Sequence, residues 1–250
     1  MAPMPLTAIV LCAGRGGRLR PLTDEVPKCL LPIGGRPILE RCLGSLNALG
    51  IRDIVLVIGY RGEMIESLIR TLKIEGVRFV HNPDYERTNT AVSFRLALRG
   101  LDSDCVLING DVVFERSILE DLLAMPAGNG VVVDTDIPLN GEEVKVVSVG
   151  GRVDHIGKHL DPAVSLGEAI GLYKIERSII PELVRIYETI EANGEPRHFF
   201  EIGFDRIVTG SSGSARSFGL TFTRGRPWVE IDTLEDYDHA ERDIVPRFTD

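Results

Sequence analysis

The 250-residue chain is 44% hydrophobic with a formal net charge of −9, which suits one globular domain and excludes the broad basic face of a nucleic-acid protein. No stretch approaches the roughly 20 apolar residues that cross a bilayer, and residues 1–5 (MAPMP) lack the basic and apolar regions of a secretory leader. Cys12, Cys29, Cys42 and Cys105 are scattered with no CxxC pair, as expected of free thiols in a cytoplasmic protein without a membrane partner.

Residues 7–11 (TAIVL) form a short apolar run that predicts a buried strand, and it feeds the glycine-rich stretch Ala13-Gly14-Arg15-Gly16-Gly17. Pro21, Pro27 and Pro32 then predict a long extended loop to about residue 36. A helix is expected over 38–49, ended by Gly50, then a strand over 53–58 (DIVLVI), a helix over 63–73 and a strand over 78–81. A helix over 91–99 and a buried strand over 104–109 (DCVLIN) complete the alternation. After residue 130, strands over 131–134, 144–149, 152–156 and 169–174 read as a hairpin-rich insertion. Helices over 181–193 and 200–209 and a strand over 227–231 follow. The expected fold class is therefore α/β. It is a Rossmann-like mixed, mainly parallel sheet covered by helices on both faces, carrying a small insertion at about 131–174. With no repeat or linker, residues 1–250 read as a single domain.

Glycine lets backbone N–H groups wrap a polyphosphate, because no Cβ holds the ligand away. A dinucleotide loop would need GxGxxG opening into a helix, but Leu19 replaces the third glycine and the prolines forbid the helix. The Walker pattern GxxxxGK[ST] is absent. What remains is a glycine turn, then Arg18, then Lys28 behind Pro27, within a segment (residues 14–41) holding six Lys or Arg against three Asp or Glu.

Leu11-Cys12-Ala13-Gly14-Arg15-Gly16-Gly17-Arg18-Leu19-Arg20-Pro21-Leu22-Thr23, continued by Pro27-Lys28-Cys29-Leu30-Leu31-Pro32-Ile33, resembles the signature of the sugar-phosphate nucleotidyltransferase superfamily. Cys12 stands where alanine is usual, and Gly17 is an added glycine. The resemblance implies that Leu11, Ala13 and Gly14 pack on the nucleobase and ribose, and that Arg15, Gly16, Arg18 and Lys28 hold the triphosphate. A lysine so placed would stabilise charge building on the α-phosphate, since such transfers depend on positioning and electrostatics.

Asp111 follows a buried strand in Asn109-Gly110-Asp111, and ligands of α/β sheets collect beyond the carboxyl ends of strands. Asp232 ends the late strand before Thr233 and Glu235, where it would alternatively cap a final helix. In the superfamily, an aspartate of a Gly-Asp motif and a late aspartate bind magnesium. The resemblance therefore assigns Mg²⁺ to Asp111 and Asp232 as cofactor, with Lys28, Arg18 and Asp111 as the catalytic group.

Asn82-Pro83-Asp84-Tyr85, then Thr88-Asn89-Thr90 and Ser93, resembles the subgroup of cytidylyltransferases for small acceptors such as phosphocholine and 2-aminoethylphosphonate. The likeness implies Asn82, Asn89 and Ser93 near the nucleotide, CTP as the favoured NTP, and a small phospho- or phosphono-acceptor. Thr90-Ala91-Val92 departs from the subgroup's usual Asn-Ile-Tyr. The 131–174 insertion would bind the acceptor. Lys145 and Lys158, two of only five lysines, suit a phosphate, with ordinary strand-edge lysines as the bland alternative, and Glu168 would touch acceptor or ribose. Trp228, with Tyr173, Phe199 and Phe200, would cage a choline, whereas Asp134 and Asp136 would meet a primary ammonium. Three other readings stand beside this one: a sugar-1-phosphate or inositol-1-phosphate nucleotidyltransferase, a glycosyltransferase using Asp134-x-Asp136, and a non-catalytic regulatory module. The sequence allows a homo-oligomer.

Overall fold

The computed structural model describes residues 6–126, 128–210 and 216–249, so the leader expectation for residues 1–5 lies outside the described residues. The apolar run at the start forms β1 (Leu6–Cys12). Its residues alternate between two cores. Ala8, Val10 and Cys12 face α1 (Ile38–Ala48) and α2 (Gly62–Leu72), while Ile9 and Ala13 face α3 (Thr90–Leu98). A strand buried on both faces has no polar alternation to show, which is why it reads as a continuous apolar stretch.

β1 pairs in parallel with β4 (Asp53–Ile58) and with β6 (Asp104–Asn109), and β4 with β5 (Val77–His81). These four strands are a parallel block in a nine-stranded sheet of order β5-β4-β1-β6-β11-β8-β12-β10-β9, in which β12 and β8 also pair in parallel. Here β8 is Asn129–Asp134, β9 Lys145–Val149, β10 Arg152–Gly157, β11 Gly167–Ile175 and β12 Phe218–Phe222. β11 runs antiparallel between β6 and β8, and its early residues also pair with β9. The sheet is thus mixed, and its last five strands close on themselves through the β11–β9 pairing.

Only the middle of the 131–174 segment is an insertion in the spatial sense. β8 and β11 are interior strands, because Val131, Val132, Val133, Leu172 and Tyr173 are fully buried between the helical layers. The β9–β10 hairpin, turning at Gly150-Gly151, bridges β12 and the start of β11 and closes this part of the sheet. Three elements were not anticipated: β7 (Val112–Phe114), α4 (Arg116–Ala124) and β12. The proline-rich loop is also not uniformly extended, since it makes two 3₁₀ turns and the two-residue ladder β2 (Pro32–Ile33) with β3 (Arg36–Pro37).

α5 (Ile180–Ala192) and α6 (Glu201–Thr209) cover the face already bearing α3. The chain ends by turning back on its start. β13 (Trp228–Glu230) pairs antiparallel with β7, and α7 (Leu234–His239) follows. Leu19, Leu31, Ile33, Ile38, Val113, Ile231 and Ala240 form a third small core that ties this return to the glycine-rich loop. Among the described residues, no helix is long and apolar enough to cross a membrane.

Candidate active site

The site stands at the carboxyl ends of β1 and β6. Gly16 is left-handed (φ 71°), and a Cβ there would come within 2.9 Å of the Lys28 side chain, so glycine lets the loop fold down on this lysine. A Cβ on Gly110 would sit 2.4 Å from the Leu11 carbonyl, so glycine also brings Asp111 against the β1 end. The β7–β13 ladder delivers the late carboxylates: Glu230 lies opposite Val112, and the Ile231 N–H donates to the Asp111 carbonyl at 2.9 Å. Residues more than a hundred positions apart thus share one wall.

Lys28 Nζ is 2.8 Å from Asp111 Oδ2 and 2.5 Å from Asp232 Oδ1. Burial pulls its pKa down, but the two carboxylates outweigh that and hold it above the ordinary lysine value. Arg18 Nη2 reaches the other Asp232 oxygen at 2.5 Å. Burial alone would raise the Asp232 pKa, yet Lys28 and Arg18 hold it below the usual aspartate value. Asp232 does not cap the final helix. Thr233 does so, in a reciprocal capping box with Asp236, leaving the Asp232 carboxylate to the site.

A third carboxylate, Glu230, completes the group. Asp111, Glu230 and Asp232 each offer an oxygen within 4.8 Å of the other two. Burial, then Asp111 and Asp232, push the Glu230 pKa up to about 8. Asp111 Oδ1 is buried without a partner among the described residues. Glu230 was missed in the sequence, though strand period two places it on the same face as Trp228 and Asp232.

Beside this wall lies a cavity of about 200 Å³ whose lining includes Leu11, Arg18, Asn89, Asp111, Lys158, Glu201, Glu230 and Asp232. Gly14, Gly16 and Lys28 line a smaller one next to it, with Leu11 and Asp111 common to both. Together these hold four carboxylates against three cations. A larger cavity of about 500 Å³ lies at the amino end of β4 and shares none of these residues.

The structure does not bring all the expected residues to the cleft. Ala13 is buried and its carbonyl accepts from the Tyr60 N–H, while the Arg15 guanidinium lies over the Tyr60 ring at 5.2 Å. Asn82 and Ser93 are buried and bonded to each other at 3.0 Å, and Asn82 also bonds Thr88 and Asp84. They brace the turn into α3, whereas Asn89 caps α3 and lines the cavity.

Of the five expected acceptor residues, only Lys158 lines the cleft. Asp134 is buried, accepts from the Trp228 indole N–H, and receives the Asp136 N–H at 2.8 Å, so Asp134-x-Asp136 is a turn rather than an open metal pair. That bond also occupies Trp228. Lys145 is fully buried and donates to the Asn140 and Glu143 carbonyls, pinning the loop before β9. Glu168 is buried in β11, where burial, Glu143 and Asp134 raise its pKa to about 8. Among the described residues the four expected aromatics form no cage: Tyr173 and Phe200 are core residues, stacked edge to face at 5.3 Å, and of the others Trp228 bonds Asp134 while Phe199 lines the cleft.

Residues 8–156 match the family model of the MobA-like NTP transferase domain, more than half of the chain. The chain belongs to this family. It is 39% identical over 158 residues to the CMP-5'-(3-aminopropyl)phosphonate synthase of Streptomyces rubellomurinus, a match covering 61% of this chain and 25% of that protein. It is 28% identical to the choline-phosphate cytidylyltransferase of Haemophilus influenzae, over 96% of this chain and 98% of that one. Two other curated relatives are longer as well, and the chain spans 52% and 41% of them. Among solved structures, the CTP:phosphocholine cytidylyltransferase of Streptococcus pneumoniae superposes with a TM-score of 0.79 at 24% identity, over 95% of this chain and 98% of that one. That likeness carries the Rossmann-like α/β fold.

Proposed function

We propose that the chain is a cytidylyltransferase that condenses CTP with a small phosphorylated or phosphonate acceptor and releases pyrophosphate. The observation that carries this reading is the Lys28 ammonium clamped between Asp111 and Asp232, at the foot of a glycine loop. A half-buried, fixed cation at the carboxyl ends of the strands is the element that separates transfer from mere nucleotide binding. A regulatory module would have no use for it, and the bonded Asp134 removes the support for a glycosyltransferase. The preference for CTP rests on the Haemophilus relative, which matches at nearly full length, and on the Asn82–Ser93 pattern.

Asp111, Glu230 and Asp232 suit a hard divalent cation. Their oxygens converge within 4.8 Å, Asp111 Oδ1 is buried and unpaired, and carboxylates outnumber cations in the cleft. Mg²⁺ held there by these three residues would neutralise phosphate charge and orient the α-phosphate.

The chain's own residues account for the rest. The loop around Gly14 and Gly16 offers backbone N–H groups to the phosphates. An acceptor oxygen, already anionic at neutral pH, attacks the α-phosphorus. The new P–O bond forms as the bond to the bridging oxygen breaks, and pyrophosphate leaves with that electron pair. Lys28 supplies positive charge to the α-phosphoryl oxygens as they crowd, and Arg18 to the departing pyrophosphate. No general base is needed, because no proton leaves the nucleophile.

A matrix of four NTPs against phosphocholine, aminoalkylphosphonates, inositol 1-phosphate and glucose 1-phosphate tests this by pyrophosphate release in Mg²⁺. The expected result is release that depends on acceptor and is greatest with CTP. Release with glucose 1-phosphate and UTP alone would move the chain to the sugar-phosphate branch.

A further inference from the structure

Glu201 opens α6, and a carboxylate in the first turn of a helix is favoured by the unpaired N–H groups there. An acid with that role alone would stand in water. Glu201 is instead 4% exposed. The Tyr173 hydroxyl donates to Oε1 at 3.2 Å, but Oε2 is buried with no hydrogen-bond partner among the described residues. A buried carboxylate oxygen without a donor costs folding free energy, so its retention calls for a partner that the described residues do not provide.

The position of Glu201 indicates where that partner comes from. The transfer cavity and a neighbouring cavity of about 370 Å³ share four lining residues: Val144, Lys158, Phe199 and Glu201. The Lys158 ammonium lies over the Phe199 ring, 4.6 Å from its centre. The junction therefore presents a cation and an orphaned carboxyl oxygen, in the cavity that Asp111, Glu230 and Asp232 also line.

We propose that Glu201 is the residue that selects an acceptor carrying a primary ammonium: the acceptor's phosphate or phosphonate faces Lys158, and its –NH₃⁺ donates to the free Oε2. This rests on the cytidylyl-transfer reading above and names the class of its acceptor. A primary ammonium brings three N–H donors and full charge, giving a charge-assisted bond in a desolvated site. A trimethylammonium brings no donor and leaves Oε2 unpaired. A hydroxyl donates without charge, and a site built around a buried polar group discriminates strongly against ligands that leave it unsatisfied.

The test is steady-state kinetics with CTP and a matched pair, 2-aminoethylphosphonate and 2-hydroxyethylphosphonate, on the wild type and on Glu201→Gln. The wild type is expected to favour the amine in kcat/KM by about 100-fold or more. In Glu201→Gln that ratio should fall to within about threefold, the change sitting in the KM for the amine. Tyr173 can still donate to the glutamine carbonyl, and the wild-type ratio keeps the proposal falsifiable even if the variant does not fold. Equal use of both acceptors by the wild type, or a folded variant that keeps the full preference, overturns the proposal while leaving cytidylyl transfer standing. No pyrophosphate from either acceptor, nor from any phospho-acceptor of the matrix, removes the cytidylyl-transfer reading and this inference with it.

Discussion

Lys28 is held in place before any substrate arrives, because Asp111 and Asp232 fix its ammonium from two sides. Preorganised charge of this kind stabilises a transition state without reorganisation at the moment of reaction. Lys28→Ala should lower the single-turnover rate of transfer by about 100- to 1000-fold, and a rate near wild type would exclude the assigned role. Asp232 makes a different prediction. Since Thr233 caps α7, Asp232→Asn should leave that helix intact. It should still raise the Mg²⁺ concentration for half-maximal activity by about tenfold or more, whereas an unchanged Mg²⁺ titration would assign Asp232 to holding Lys28 alone.

At the scale of elements, the short β7–β13 ladder and α7 carry Glu230 and Asp232 to a loop made some two hundred residues earlier. Thr233→Ala removes the side chain that caps α7 and should cost about 1 kcal/mol, seen as a melting point lower by about 2–4 °C. An unchanged melting point would show that the small C-terminal core, not the cap, seats the helix. The elements that the sequence displays well are those buried on both faces: β4 and β6 have the bounds that their apolar runs suggest. Helices α1 and α5 keep their spacing to within a residue. β12 is short and contains Gly219, so its pattern is faint, and 3₁₀ turns have no period of their own. The grouping of Gly16, Lys28, Asp111 and Asp232 in the candidate site was legible in the glycine turn, the strand ends and the motif resemblance, and the structure brings these residues together. Polar residues of the middle segment were misleading, because Asp134 and Lys145 satisfy neighbours that only the fold provides. Glu201 is silent in sequence, since its meaning lies in burial and an unpaired oxygen.

For the whole molecule, acidic groups held near neutrality set a pH signature. Burial raises Glu230 and Glu168 to about 8 and Glu201 to about 7. Each binds a proton in the folded chain over a range where the unfolded chain, with a glutamate pKa of about 4.3, has released it. Stability from these groups is therefore complete below about pH 4 and lost as pH rises through 7 to 8. Thermal melts in EDTA should fall from about pH 5 to pH 8, and Mg²⁺ should recover most at the upper end, where its carboxylates are ionised. A flat or rising EDTA profile would contradict these protonation states. Attack at the α-phosphorus defines the proposed reaction, and ³¹P NMR of CTP, Mg²⁺ and 2-aminoethylphosphonate with the enzyme reads it directly. A CMP–phosphonate anhydride resonance growing in equal amount with pyrophosphate is expected; CDP and orthophosphate in their place would contradict attack at the α-phosphorus.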